Sequence, residues 1–219
     1  MKPILIVIIS IWALAANGQN VATDSKNDAT LSREEIKSRS FADLFKTIGV
    51  KEIPEDVFTL IGEDFAVLTA GNPSHYNAML AGWGGWGIQF SKPATFLFLR
   101  SSRYTLELMQ KEQRYTMAFF DNEYKEDIMP FGRQSGRDSD EKMRNTKLTA
   151  VQTPAGNMAF KEAKLIIECT LMQVTTVSPD DFYTEEGRKF IVDAYAETNG
   201  YHKIVYGEIT AIWVRKVSD

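Results

Sequence analysis

Apolar and polar positions alternate along two long stretches in the C-terminal half of the chain, which is the pattern of β-strands with one buried face. These stretches are residues 163–177 and 203–216. Shorter runs rich in apolar or β-branched residues predict further strands at residues 57–61, 65–69, 76–82, 94–99 and 115–120. Lys92-Pro93 is interpreted as the turn before the strand at 94–99.

Helical patterns are fewer and are inserted between the strands. Ser32 and Glu35 form a capping-box pattern before one N-terminal helix whose apolar positions run from Ile36 to Ile48. Further helices are predicted at residues 105–111, 123–129, 138–144, with Asp138 as its cap, and 184–198. Many strands with few short helices predict a mainly β, closed architecture with peripheral helices, rather than βαβ units.

The N-terminus has the features of a secretory signal peptide. Lys2 precedes an apolar run over residues 4–16, and small residues follow it. This run is too short for a good membrane span, which needs about 20 apolar residues, although an uncleaved anchor remains the alternative. We therefore divide the chain into a signal peptide (1–18), a polar linker and N-terminal helix (19–55) and one folded domain (56–219).

Composition excludes several functional classes. The net charge is −4 and the sequence has no basic run, so it offers no positively charged segment for binding nucleic acid. Cys169 is the only cysteine, so no internal disulfide can form, and its apolar surroundings predict a buried core thiol. With two histidines and one cysteine, we expect no metal site.

Two polar segments carry the chemistry of a phosphate site. Arg100, Ser101, Arg103 and Thr105 follow an apolar strand and lead into a helix, where cations, hydroxyls and the first helical N–H groups can bind an anion. The second segment contains Ser135, Arg137 and Lys142 around a glycine. Each segment alone is also compatible with a solvated charged surface.

The run Gly82-Trp83-Gly84-Gly85-Trp86-Gly87 contains the spacing of a dinucleotide-binding fingerprint. We reject that interpretation because the fingerprint requires a helix directly after the glycines, and here another strand is predicted. The glycines instead let backbone approach a flat ligand, with Trp83 and Trp86 as apolar walls. A core corner with glycine-rich turns is the alternative.

Taken together, these blocks resemble the flavin reductase-like, FMN-binding split-barrel family (flavoredoxin-like). The resemblance extends over residues 57–214 and also draws on Phe119-Phe120-Asp121 and on the final Tyr201-His202 block. It implies a six-stranded Greek-key split β-barrel, a bound FMN and a homodimer with the flavin at the subunit interface.

The resemblance also implies roles for individual residues. Positions matching the segment beside the flavin ring and ribityl chain are Asn77, Met79, Ala81, Gly82 and Trp83. Positions matching the two phosphate segments are Arg100, Ser101, Arg103, Thr105, Ser135, Arg137 and Lys142. His202 matches a histidine that the family often presents near the flavin and is the one candidate catalytic residue, with a structural role as the alternative.

The sequence thus predicts an exported, FMN-dependent oxidoreductase, periplasmic or secreted, in which noncovalent FMN transfers electrons or hydride. Its donor or acceptor is an unidentified small molecule or redox protein. The alternatives are an NAD(P)H-dependent flavin reductase and a non-catalytic flavin-binding or scavenging protein. Export disfavours the reductase, because NAD(P)H is not expected outside the cytoplasm.

Overall fold

A computed structural model describes residues 31–137, 139–195 and 200–216. The predicted signal peptide and the polar part of the linker lie outside these residues. The helices are α1 (Arg33–Ser38), α2 (Phe41–Leu44), α3 (Val57–Gly62), α4 (Tyr104–Glu112), α5 (Lys125–Arg133), α6 (Glu141–Arg144) and α7 (Glu185–Tyr195). The strands are β1 (Phe45–Thr47), β2 (Ala66–Asn72), β3 (His75–Ala81), β4 (Gly84–Gln89), β5 (Lys92–Arg100), β6 (Arg114–Phe119), β7 (Ala150–Gln152), β8 (Met158–Phe160), β9 (Leu165–Thr176) and β10 (His202–Arg215).

Within the described residues the main sheet has eight strands, where the resemblance implies six. Its order is β3-β2-β6-β9-β10-β5-β4, with β1 paired to the far end of β10, and every pairing is antiparallel. β3 at one end of this order lies close to β5 near the other end, so the sheet curls towards closure. Register shifts in β10 at Tyr206/Gly207 and Ile209/Ala211 provide the local bending that such curvature needs.

Both faces of the central strands are buried, which explains their nearly continuous apolar sequence. One core contains Leu68, Met117 and Ile167, together with residues of α4. The core on the opposite face contains residues next to these in the chain, such as Val67 and Ala118. Residues of α1, α2, α5 and β8 pack over that face. The helices therefore lie peripherally on a mainly β framework, as the sequence predicts.

Residues 57–61 form helix α3, so the strand predicted there is wrong. Asp56 caps the helix, since its Oδ1 accepts hydrogen bonds from the backbone N–H groups of Phe58 (2.9 Å) and Thr59 (3.0 Å). A five-residue apolar run does not distinguish a strand from a buried helix turn, and the cap decides the outcome here.

Lys92-Pro93 lies inside β5, so the turn predicted there is also wrong. The turn falls at Phe90 and Ser91, which both adopt positive φ (50° and 62°). Pro93 pairs with Ile88 of β4 but lies beyond the stretch of β5 that pairs with β10, so its missing N–H breaks no ladder.

The N-terminal helix is two helices. The capping box of Ser32 and Glu35 is confirmed, but α1 ends at Ser38, and a second box of Ser40 and Asp43 starts α2, after which β1 begins at Phe45. The helix predicted at 138–144 is shorter and forms α6, with Asp140 at its N-cap position. Asp138, the predicted cap, lies outside the described residues. Residues 196–198 of the predicted last helix also lie outside them.

Candidate functional site

Three segments of the chain converge on a cavity of about 220 Å³, which we call the cradle. β3 supplies one wall, the start of α4 supplies the second, and the connection from α5 to α6 supplies the third. Its lining residues are Asn77, Met79, Ser102, Arg103, Tyr104, Thr105, Phe131, Gln134, Ser135, Gly136 and Lys142.

The first helical turn of α4 lines the cradle and has no side-chain cap. β5 ends at Arg100, and α4 begins at Tyr104 after two serines. Arg103 occupies the N-cap position, and no side chain caps the helix there. The first N–H groups of a helix have no partner within the helix, and its N-terminus carries partial positive charge. This end of the cradle is therefore suited to a negatively charged group.

Asn77 links the strand wall to the helix wall. It is 3% exposed, and its Nδ2 donates to Thr105 Oγ1 at 2.8 Å. Its Oδ1 has no hydrogen-bond partner among the described residues. A Cβ added to Gly136 would lie 2.0 Å from this oxygen, so the third wall touches Asn77 where only glycine fits. A buried acceptor without a partner needs an explanation, such as an ordered water or a bound ligand.

Lys142 places a positive charge at the base of the cradle. The residue is 5% exposed, and its Nζ donates to the carbonyl oxygens of Ala78 (2.7 Å) and Gln134 (3.1 Å). No carboxylate pairs with it within the described residues. Burial, together with the nearby positive charge of Arg103, lowers the pKa of this amine to about 8. An anion in the cradle would supply the missing counter-charge.

Arg137 lies at the rim. Its guanidinium makes a bidentate ion pair with Glu107, donates to the Ser102 carbonyl at 3.2 Å and lies 5.5 Å from the centre of the Tyr104 ring. Hydrogen bonding to Arg137 lowers the pKa of the Glu107 carboxyl. Arg137 thereby holds the α5–α6 connection against the start of α4.

The structure brings together about half of the predicted site residues. Six of them line the cradle: Asn77, Met79, Arg103, Thr105, Ser135 and Lys142. Six do not line it: Ala81, Gly82, Trp83, Arg100, Ser101 and Arg137. Ala81 is buried in the core, whereas Arg100 is exposed and pairs across the sheet with His202.

Sequence reasoning missed five residues that line the cradle, namely Ser102, Tyr104, Phe131, Gln134 and Gly136. Ser102 and Tyr104 lie between residues that are predicted to bind the phosphate. Treating residues 100–105 as one continuous segment would have included them. No feature of the sequence identifies Gln134, because only the path of the chain after α5 brings it to the cradle. Gly136 is the glycine of the second phosphate segment, and the structure shows that it approaches Asn77 closely.

The glycine-rich run becomes strand β4 and turns directly into β5, so the rejection of a dinucleotide fingerprint is confirmed. Gly82, Gly84, Gly85 and Trp86 line an apolar cavity of about 280 Å³ against α3. Trp86 packs edge-on against Phe119 at 6.2 Å, while Trp83 is 54% exposed and stacks on the His202 ring at 5.1 Å.

His202 and Cys169 are both enclosed. His202 is 9% exposed, and burial, followed by the charges of Arg100 and Arg103, lowers the pKa of its imidazole. Cys169 is buried as predicted, and burial raises the pKa of its thiol to about 12, which excludes a thiolate at neutral pH.

Among the residues that the structure describes, no group of three or more His, Cys, Asp and Glu side chains is arranged to hold a metal ion. Over the same residues, every helix is too short or too polar to cross a membrane.

A family model, the flavin reductase like domain, matches residues 60–219. The chain belongs to the flavin reductase-like family. The family resemblance inferred from sequence is therefore confirmed. Comparison with curated protein sequences finds no match.

Solved structures agree with this assignment at the level of the fold. An FMN-binding domain of a flavin reductases-like enzyme from Shewanella baltica OS155 has a TM-score of 0.55 at 14% identity, covering 78% of this chain and 76% of that one. An FMN-binding protein from Thermus thermophilus has a TM-score of 0.53 at 19% identity, covering 76% and 75%. Flavoredoxin of Desulfovibrio vulgaris (Miyazaki F) has a TM-score of 0.51 at 19% identity, covering 71% and 69%. The predicted mainly β split-barrel class is thus confirmed.

Proposed function

We propose that this protein binds FMN noncovalently, with the flavin phosphate in the cradle. One observation carries the proposal: Lys142 is buried without a counter-charge, in the same cavity as the uncapped start of α4. A phosphate dianion supplies the charge that both groups lack. Two structural neighbours are FMN-binding proteins, which supports the choice of flavin.

Residues of the cradle divide into two groups by chemistry. Arg103, Thr105, Ser135 and Lys142 offer cations and hydroxyls for the phosphate. Asn77 and Met79 would contact the ribityl chain and ring, and the Gly82–Trp83 segment offers backbone and an aromatic wall. Arg100 and Ser101 precede Arg103 in the chain, and Arg100 adds positive charge to this segment. FMN, when bound, supplies one- and two-electron transfer.

We further propose that the protein is an oxidoreductase that uses FMN as its prosthetic group. Membership of the flavin reductase-like family supports this class. Anaerobic photoreduction of the FMN-loaded protein, followed by mixing with quinones or other acceptors, tests it. An enzyme reoxidises rapidly with one class of acceptor, whereas a scavenging protein reoxidises slowly with all of them. Reduction by NAD(P)H without a partner would instead identify a flavin reductase.

Export is part of the proposal and is supported by the apolar run after Lys2. Cell fractionation with N-terminal sequencing tests it. Mature protein that starts near Gln19 in the periplasm or medium is the expected result. Intact Met1 on cytoplasmic protein would refute export and would restore NAD(P)H as a plausible donor.

Phosphate recognition predicts a preference among flavins. In a fluorescence-quenching titration of apoprotein, FMN should bind more tightly than riboflavin, which lacks the phosphate. Arg103→Met should weaken FMN about ten- to a hundredfold, the loss of one charge-assisted contact of roughly 1.5–3 kcal/mol. Arg100→Met should have the smaller effect, because Arg100 lies outside the cradle. Arg133→Met, on an exposed residue of α5, is the matched control. Equal affinity for FMN and riboflavin would refute the phosphate assignment.

A further inference from the structure

An N-terminal arm, residues 31–47, precedes the part of the chain that matches the family model, which begins at residue 60. The arm is packed into the fold. Ile36, Leu44 and Phe45 are each at most 3% exposed and belong to the core on the opposite face of the sheet. β1, at the end of the arm, pairs with β10. The arm lines no part of the cradle, so any influence on that site must pass through the elements it contacts.

One buried carboxylate joins the arm to a wall of the cradle. Asp127 on α5 is 8% exposed, and its Oδ2 accepts a hydrogen bond from Arg33 Nη1 of the arm at 2.6 Å. Its Oδ1 lies 3.4 Å from Nζ of Lys147, which follows α6. The Arg33 guanidinium also lies 4.7 Å from the centre of the Tyr124 ring, next to the start of α5. Asp127 thus ties the arm, α5 and the segment after α6 together, and a buried carboxylate depends strongly on such partners.

The wall to which Asp127 belongs has a cavity on each side. Phe131, Gln134 and Lys142 line both the cradle and a neighbouring cavity of about 310 Å³. Asp127 and Lys147 line the neighbouring cavity but not the cradle. Side chains that border cavities make fewer packing contacts than side chains in a close-packed core. The position of this wall therefore depends on the ion pairs of Asp127 as well as on packing.

The same wall places a phosphate-binding group of the cradle. Asp127 and Phe131 are four residues apart on α5, so they lie on the same face of the helix. Directly after the helix, the Gln134 carbonyl oxygen accepts a hydrogen bond from Lys142 Nζ at 3.1 Å. A shift of α5 would therefore displace the ammonium group of Lys142.

We propose, on the basis that the cradle holds the flavin phosphate, that Arg33 and Asp127 are positioning residues for phosphate recognition. Their ion pair holds α5 in the position that keeps the Lys142 ammonium in the cradle. The effect is limited to the phosphate, because Asn77 and Met79, which are proposed to contact the rest of the flavin, are on β3. Loss of the ion pair should therefore lower the affinity for FMN and leave the affinity for riboflavin unchanged.

Neutralising Asp127 separates the effect of position from the effect of charge. Asp127→Asn removes a negative charge near an anion site, so direct electrostatics would strengthen FMN binding, whereas loss of the ion pair weakens it. In quenching titrations of apoprotein, Asp127→Asn and Arg33→Met should each bind FMN about three- to tenfold more weakly than the wild type, with unchanged riboflavin affinity. Glu126→Gln, at an exposed position of α5, and Lys37→Met, on α1, are the matched controls and should bind both flavins as the wild type does.

Thermal melts show whether each variant is folded. The Arg33 side chain is 43% exposed, so Arg33→Met carries the test if Asp127→Asn does not fold. Equal affinity of the wild type for FMN and riboflavin would refute the phosphate cradle and the positioning role with it. If the wild type prefers FMN, three results refute the positioning role alone: unchanged or tighter FMN binding in folded Asp127→Asn, unchanged FMN binding in folded Arg33→Met, or an equal loss of riboflavin affinity.

Discussion

Lys142 combines deep burial with a charge that no carboxylate of the described residues neutralises, and this determines how flavin binding should respond to pH. In the free protein its pKa is about 8, below the ordinary 10.5, so the amine loses its proton above pH 8. The folded state then binds fewer protons than the unfolded state between pH 8 and 10.5, so the free energy of unfolding of apoprotein should rise over this range.

FMN affinity should show the opposite trend with pH. The phosphate is a dianion above its second pKa of about 6, so affinity should be constant between about pH 6.5 and 8. Above pH 8, binding must return a proton to Lys142, and affinity should fall by up to about tenfold per pH unit. Quenching titrations measure this directly. Lys142→Met should bind more weakly at pH 7 and lose the fall, whereas Arg103→Met should keep it but at higher pH, because Arg103 lowers the pKa of Lys142. An equal fall in Lys142→Met would exclude Lys142 as its cause.

Gly136 tests the close contact between two walls of the cradle. The Cβ of Gly136→Ala would lie 2.0 Å from Asn77 Oδ1, so Asn77 must move and its bond to Thr105 must lengthen or break. We expect about a tenfold loss of FMN affinity, the equivalent of roughly one buried hydrogen bond. Gly62→Ala is the control, because nothing lies within 4 Å of its Cβ and alanine favours the helix. If both variants bind FMN like the wild type, Asn77 is not part of the binding site.

At the scale of elements, β9 joins a small hairpin to the main sheet through one buried carboxylate. Glu168 accepts hydrogen bonds from Thr153 Oγ1 (2.7 Å), Asn157 Nδ2 and Trp213 Nε1 (2.5 Å). The first two donors flank the turn between β7 and β8, and the third lies on β10. Glu168 thus fixes the hairpin and Trp213 to the same strand.

Glu168→Gln should destabilise the fold, because one acceptor oxygen becomes an amide that faces donors. We expect a loss of about 2–4 kcal/mol in the free energy of unfolding, measured by urea denaturation. Thr170→Val, at an exposed position of the same strand, should change it by less than about 0.5 kcal/mol. A loss below 1 kcal/mol for Glu168→Gln would show that this network contributes little.

Elements with strong local signals could be predicted from the sequence, and those fixed by neighbours could not. The long strands β9 and β10, helix α4 and the Ser32 capping box follow from periodicity and capping chemistry. β4 was missed because glycine has low β-propensity, and its pairing with β5 compensates. β7 and β8 were missed because three residues are too few to show alternation.

The site could be predicted by segment but not by side chain. Arg100 and Arg103 have the same chemistry, and only the path of the chain after β5 places Arg103 in the cradle and Arg100 outside it. Arg137 similarly carries the expected charge, but its partner Glu107 holds it at the rim. These outcomes depend on tertiary neighbours, which a single sequence does not specify.

At the scale of the whole molecule, exposed apolar residues on and beside β4 support the predicted homodimer. Ile88 and Phe90 near the end of β4, Phe58 on α3 and Trp83 are all largely exposed. Trp86 and Trp213 pack within the chain, edge-on against Phe119 and Phe41. We therefore propose that the exposed residues on and beside β4 form the dimer interface, since large exposed aromatic and aliphatic residues are typical of interfaces.

Light scattering should give twice the chain mass for the wild type. Ile88→Glu should shift the protein towards monomer, because a buried charge without a partner opposes association. Val50→Glu, an equally apolar substitution site on a different element, is the control and should remain dimeric. A monomeric wild type with FMN bound would refute the dimer.

Phosphorus NMR of FMN observes the very group that the cradle is proposed to hold. With apoprotein added, the 31P resonance of FMN should shift and broaden, and Lys142→Met should change the bound shift. Inorganic phosphate at high concentration should compete. If the protein turns yellow with FMN while the 31P resonance stays at its free position, the flavin is bound elsewhere and the phosphate cradle is wrong.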